Sequence, residues 1–208
     1  VVDAGDPAWT THFGGDLSAA VRAVGFDGFH LDQYGWPKVA VTPQGRRVDL
    51  AERFVTLIQA VRDRIPDARL VFNNVNDFPT WATARADQDA VYIEVWEPHT
   101  TLADLAGVVT RARSVAGSKP VVVAAYQHCY ADAPRAAADQ ATALTMATLF
   151  SHGATHLLAG DGGRLLIDPY YARNHLAEPA TLDRLARWYD FLVEHHDVCR
   201  LRGRRPRR

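Results

Sequence analysis

Cysteine is scarce in this chain. Cys129 and Cys199 are the two in 208 residues, with no CxxC and no His/Cys ligand spacing. Neither a disulfide framework nor a structural zinc site is expected. Lysine is as rare: Lys38 and Lys119 are the two, neither inside a strand-like run, which disfavours Schiff-base chemistry. No apolar run approaches the ~20 residues needed to span a bilayer. A formal net charge of −1 removes any global attraction to nucleic acid or to a membrane surface. No Gly-rich phosphate fingerprint follows a strand, and Gly160-Asp161-Gly162-Gly163 is too loose to count as one. An initiator Met and a leader pattern are also missing. Val1-Val2-Asp3 reads like the interior of a strand, so the chain reads as part of a longer one.

What is present is an ordinary globular composition, 48% hydrophobic and 23% charged, long enough for one sizeable core. Strand-length apolar runs alternate with helical patterns. Runs at Phe26–Leu31, Arg69–Phe72, Ala90–Val95, Pro120–Ala125 and Thr155–Ala159 read as strands, with a further candidate at Val1–Ala4. Between them, Asp49-Leu50-Ala51-Glu52 opens a helix as a capping box. Leu50, Phe54, Ile58, Val61 and Ile65 then form one stripe. Leu102, Leu105, Val108, Val109 and Ala112 mark a second helix. Arg135–Phe150, closed by Gly153, is a third, and Leu182, Leu185, Tyr189 and Leu192 lie on one side of a last. This repeated βα pattern predicts a parallel sheet covered on both faces. It fits a doubly wound sheet or most of a (β/α)8 barrel. Polar residues close every strand at its C-terminal tip, where barrel enzymes build their sites.

Two of those tips carry carboxylates in a telling setting. In Asp27-Gly28-Phe29-His30-Leu31-Asp32-Gln33, strand alternation puts His30 and Asp32 on one face and Phe29 and Leu31 on the other. In Tyr92-Ile93-Glu94-Val95-Trp96, Tyr92, Glu94 and Trp96 share a face. The aromatics desolvate Glu94 and favour the protonated form a general acid needs. The bland alternatives are an Asp32 bonded to loop amides and a Glu94 paired with an Arg. Two carboxylates on separate strands, aimed at one pocket, are the minimum for retaining glycosidase chemistry. Around them His30, Gln33, Asn74, Tyr126, Gln127 and Asp161 offer hydrogen bonds to hydroxyls, and Trp36 and Trp96 offer rings for stacking. A rival reading takes His30, Asp32, Glu94 and Asp161 as a divalent-metal site. The absence of a second inward His beside a strand carboxylate speaks against it, and no metal or other cofactor is expected.

At these residues the chain resembles glycoside hydrolase family 66, the endo-dextranases and cycloisomaltooligosaccharide glucanotransferases. The resemblance rests on Asp27-Gly28-Phe29-His30-Leu31-Asp32-Gln33-Tyr34-Gly35, Gly45-Arg46-Arg47-Val48-Asp49-Leu50 and Tyr92-Ile93-Glu94-Val95-Trp96. It continues in Val123-Ala124-Ala125-Tyr126, His152-Gly153-Ala154-Thr155-His156 and Trp188-Tyr189-Asp190-Phe191-Leu192-Val193. It implies a partial (β/α)8 TIM barrel over residues 1–198, from about the third strand to the eighth, with 199–208 a basic tail or the remnant of a next domain. A six-strand piece cannot close a barrel and leaves open edges, so poor solubility or inactivity of the isolated chain is expected. The resemblance further implies an extracellular enzyme acting on internal α-1,6 linkages of dextran. Asp32 would be its nucleophile and Glu94 its acid/base, with Asp3 and Asp6 near the cleft. Its partner would be an α-1,6-glucan or isomaltooligosaccharide, with neither nucleic acid nor membrane involved. The cyclising members carry a carbohydrate-binding module late in the barrel, and Tyr126–Phe150 leaves no room for one, which tilts the reading toward hydrolysis. The alternatives are the cyclising transferase and an inactive glucan-binding fragment.

Overall fold

A computed structural model describes residues 3–33, 39–169 and 175–201. It is mixed α/β, with five parallel strands. The chain divides into two compact units, Val1–Glu94 with Val115–Pro120, and Val95–Ser114 with Val121–Arg208. Among the described residues no helix is long and apolar enough to cross a membrane.

The first unit opens with a helix that the periodicity argument did not single out, α1 (Pro7–Val24). Asp6 caps it, accepting from the Ala8 and Trp9 amides at 2.9 and 3.3 Å. Pro7 occupies the first turn and Gly25 ends it at φ 78°, the proline-in, glycine-out pattern of a helix. Phe13, Leu17 and Val21, four residues apart, pack on the core. The strand expected at Val1–Ala4 is not seen in its described part, because Asp3 and Ala4 form a turn.

Next comes β1 (Gly28–Leu31), followed by a small antiparallel hairpin of β2 (Ala40–Val41) and β3 (Arg47–Val48). Helix α2 (Leu50–Arg64) is capped as expected, Asp49 accepting from the Ala51 amide at 2.9 Å. Its stripe of Leu50, Phe54, Ile58 and Val61 is buried. β1 pairs in parallel with β4 (Arg69–Val75), which pairs in parallel with β5 (Ala90–Val95). A Cβ built at Gly28 would lie 2.1 Å from the Arg69 carbonyl oxygen, so glycine is what lets β1 and β4 approach there. A short helix, α3 (Thr80–Thr83), lies between β4 and β5.

Asp89, just before β5, ties the start of this sheet. It accepts from the Leu70 amide, Arg62 and Arg69, each at 2.8 Å. Burial raises its pKa, but the bonds from Arg69, the Leu70 amide and Arg62 outweigh that and hold it at about 2, below the ordinary 3.8. A depressed carboxylate stabilises the fold above its unfolded pKa and loses that contribution as pH falls through the folded one. Arg69 is 81% exposed, so solvent screening reduces the effect to roughly 1 kcal/mol. Denaturant titrations of the parent and Asp89→Asn should differ by that amount at pH 6 and converge near pH 2. A gap that persists at pH 2 would refute the assignment.

The second unit contains α4 (Leu102–Ala116), whose last two residues belong to the first unit. Leu105, Val108, Val109 and Ala112 are buried as the stripe predicts, but Leu102 is exposed at the helix start. β6 (Val121–Ala125) pairs in parallel with β7 (Thr155–His156). The run read as a strand to Ala159 stops after His156, and Ala159 instead bridges antiparallel to Leu165. Between β6 and β7 lie α5 (Cys129–Asp132) and α6 (Arg135–Ser151). A hairpin of β8 (Arg164–Leu165) and β9 (His175–Leu176) precedes α7 (Pro179–Glu194) and α8 (His196–Leu201). The buried Asp139 carboxylate joins three of these helices or their first turns. It accepts from the Tyr130 hydroxyl at 2.9 Å and from the Thr181 hydroxyl at 3.1 Å.

Candidate active site

The register of β1, β4 and β5 decides which side chains meet. Leu31 lies beside Phe72, and Asn73 beside Tyr92. Alternation then gives one face to His30, Asp32, Asn73, Tyr92 and Glu94. The other face takes Phe72, Asn74, Val91 and Ile93, all fully buried.

On the polar face the two candidate carboxylates share one donor. The Asn73 amide nitrogen donates to Asp32 Oδ1 at 2.9 Å and to Glu94 Oε2 at 3.1 Å. The two accepting oxygens can be no farther apart than those bonds laid end to end, 6.0 Å. They are about 5.2 Å apart if the bonds follow the ~120° spread of a planar amide's hydrogens. Asp32 Oδ1 also accepts the Gln33 backbone N–H at 2.8 Å. Asp32 is exposed and Glu94 half-buried.

His30 and Tyr92 pack edge to face, ring centres 4.5 Å apart. His30 keeps an exposed side, yet the protein packed around the ring desolvates it and lowers its pKa, outweighing the charges of Asp32 and Glu94, which raise it. The imidazole is therefore biased toward its neutral form despite two carboxylate neighbours. Burial raises the Tyr92 pKa, and the charges of Glu94 and Asp32 raise it further. Its phenol keeps its proton. Among the described residues no group of three or more His, Cys, Asp or Glu is arranged to hold a metal ion.

Several residues read as substrate contacts from the sequence have partners within the protein. Asn74 has no exposed surface. Its amide donates to the Tyr92 and Phe72 carbonyls at 2.7 and 3.2 Å, and its oxygen accepts the Thr83 hydroxyl. One step of strand alternation separates it from the polar face, and Asn73 holds the position assigned to it. Gln127 is also sealed in, donating to the Ala125 carbonyl and accepting from Thr142. Asp3 is 2% exposed, takes the Gly5 N–H at 3.0 Å and pairs with Arg53 at 3.0 Å. It anchors α2 to the turn before α1. Asp6 is the α1 cap. Gln33 turns its side-chain amide to the Phe78 carbonyl at 3.0 Å.

In the second unit Trp96 and Tyr126 pack with ring centres 5.1 Å apart. His128, which the sequence reading passed over, lies 6.4 Å from each. Asp161 opens a 3-10 turn, but its side chain lies outside what the structure describes, as does Trp36 altogether.

Two strand-tip carboxylates bridged by one amide, on parallel β/α architecture, give the pair of groups that glycosidic-bond chemistry requires. The sequence model of Glycosyl hydrolase family 66 matches residues 1–207, and the chain belongs to that family. Among curated relatives, a cycloisomaltooligosaccharide glucanotransferase of Niallia circulans is 28% identical over 162 residues, covering 72% of this chain and 17% of the relative. A dextranase of Streptococcus salivarius is 28% identical over 101 residues, covering 45% and 12%. The crystal structure of a Paenibacillus sp. cycloisomaltooligosaccharide glucanotransferase complexed with cycloisomaltoheptaose resembles the fold with a TM-score of 0.54. The identity is 24%, and the match covers 61% of this chain and 19% of that one. The chain thus spans less than a fifth of the length of the relatives it matches.

Proposed function

We propose that this chain carries the catalytic pair of a retaining glycoside hydrolase acting on internal α-1,6 linkages of dextran, within part of a (β/α)8 barrel spanning residues 1–198. Asp32 is the nucleophile and Glu94 the general acid/base. The observation that carries this reading is the shared Asn73 donor. It caps the separation of the two accepting oxygens, Asp32 Oδ1 and Glu94 Oε2, at 6.0 Å. Retaining enzymes need about 5–5.5 Å between the carboxyl groups, whereas inverting ones need about 6.5–9.5 Å to admit a water. The substrate class follows from the family and from relatives named dextranase and cycloisomaltooligosaccharide glucanotransferase.

In the first step an Asp32 oxygen bonds the anomeric carbon. The glycosidic bond breaks, and its electron pair leaves with the departing oxygen, which takes the Glu94 proton. In the second step Glu94 takes a proton from water, the water oxygen bonds the anomeric carbon, and the Asp32 ester breaks. His30, Gln33, Trp36, Trp96, Tyr126 and Asp161 remain our candidates for sugar contacts. An extracellular location suits an enzyme of a polymeric glucan.

Proton NMR of the first-formed reducing ends from isomaltooligosaccharide tests the reading. The α-anomer should appear before mutarotation; the β-anomer first, or no cleavage, would overturn it. Two of the relatives, matching 59% and 72% of this chain, are named glucanotransferases, which supports a second reading, cyclising transfer. Cyclic products from the same digest would favour that reading over hydrolysis.

A further inference from the structure

Asn73 is 4% exposed, and its Oδ1 is buried with no hydrogen-bond partner among the described residues. An orphaned buried carbonyl is costly and calls for a reason. Turning the amide over would not relieve it, because its oxygen would then face two carboxylates. Its nitrogen, by contrast, is spent entirely on Asp32 and Glu94. On Asp32 both the Asn73 and Gln33 bonds fall on Oδ1, and Oδ2 receives neither. On Glu94 the Asn73 bond falls on Oε2, so that oxygen acts as an acceptor.

We propose that Asn73 is the positioning residue of the pair, selecting Oδ2 of Asp32 as the attacking oxygen and Oε1 of Glu94 as the one that carries the proton. The inference rests on the catalytic reading above and deepens it. When Oδ2 bonds the anomeric carbon and the glycosidic bond breaks, the departing oxygen takes the Oε1 proton, so one negative charge leaves Asp32 and one arrives on Glu94. Asn73 donates to both groups before and after. Its bond to whichever is charged is the stronger one, and no side chain has to move for the stabilisation to follow the charge. In the ester, Asp32 Oδ1 is the carbonyl oxygen and still accepts both donors.

The test compares Asn73→Leu, which keeps the shape without the donor, and Asn73→Asp, in the longest natural polypeptide that carries these 208 residues. Among the described residues the titratable groups on the Asn73 face of β1, β4 and β5 are His30, Asp32, Tyr92 and Glu94. Loss of a donor to a charged group should lower kcat about 10- to 100-fold in Asn73→Leu. KM should stay within about twofold, since a sealed side chain makes no sugar contact. The acidic limb of the kcat/KM profile should move to higher pH, because the anionic nucleophile has lost a donor. Asn73→Asp should be poorer still at pH 7, with a third carboxylate in place. It should regain activity relative to the parent as pH falls, because its protonated form again offers a donor. A folded Asn73→Leu with parental kcat and an unmoved limb would overturn the proposal. If Asn73→Leu does not fold, Asn73→Asp decides alone, and no relative gain on acidification overturns it. Asp32→Ala separates the two readings. Full activity there sinks the catalytic assignment and this inference together, whereas an inactive Asp32→Ala beside an unaffected Asn73→Leu sinks this inference alone.

Discussion

Asp32→Ala should reduce α-1,6-glucan turnover roughly 10⁴-fold or more, because it removes the covalent step itself. Glu94→Gln should cost about 10²- to 10⁴-fold, the range for one general acid/base. On an aryl isomaltooligoside, whose leaving group departs without a proton, the Glu94→Gln loss in kcat/KM should shrink sharply while its kcat stays limited by hydrolysis of the ester, and the Asp32→Ala loss should not shrink. External azide then separates the roles by stereochemistry. With Asp32→Ala it can attack only from the side the carboxylate occupied, giving the β-azide. With a Glu94 variant the β-linked ester still forms, and azide displaces it from the opposite side to give the α-azide. The reverse pattern would exchange the two assignments. Near-parental turnover in either variant would remove that residue from the mechanism.

The two carboxylates were legible because each sits at the polar end of an apolar run, and alternation alone puts His30 with Asp32 and Tyr92 with Glu94. The bounds of β5 follow from the same run, Ala90–Val95. Asn73 was not legible. Two asparagines in succession offer both faces of β4, and only the pairing of Asn73 with Tyr92 tells which one meets the carboxylates. Parity counted from Leu70 and Phe72, the buried apolar residues of that strand, would have pointed to Asn73. Helix α1 was missed for another reason. Its caps, Asp6-Pro7 and Gly25, were in plain view, but Thr10-Thr11 and Gly14-Gly15 dilute its helical pattern. Gly14 is useful for packing: a Cβ there would meet the Arg64 side chain of α2 at 3.0 Å. Asp3 and Gln127 turn into the protein because a polar residue beside a strand or loop end can be satisfied by the protein as readily as by a sugar. Sequence does not count the donors around it.

His156 should make the fold acid-sensitive well above the range where carboxylates titrate. It is 2% exposed, and its Nε2 lies 2.8 Å from the Ala125 carbonyl. Nδ1 is buried with no partner among the described residues. A second proton would thus be placed where nothing accepts its hydrogen bond. Burial pulls the pKa down, the Ala125 bond pulls it up, and the net value is about 4 against the ordinary 6.5. Between those values the unfolded chain binds a proton that the folded one does not, so stability falls as pH falls from about 6.5 toward 4 and is fully retained above. The shift corresponds to roughly 3 kcal/mol, a large share of the ~5–15 kcal/mol that holds a typical domain together. His156→Gln keeps a donor for the Ala125 carbonyl and cannot titrate. Whatever its stability at pH 7, it should lose roughly 3 kcal/mol less than the parent on going to pH 4 in denaturant titrations. That is about 6–12 °C less in Tm for a chain of this size. The other titrating groups, His30 and the carboxylates, are common to both proteins and cancel in the comparison. Parallel losses in parent and variant would show that His156 is protonated in the folded state at no cost, contrary to its burial.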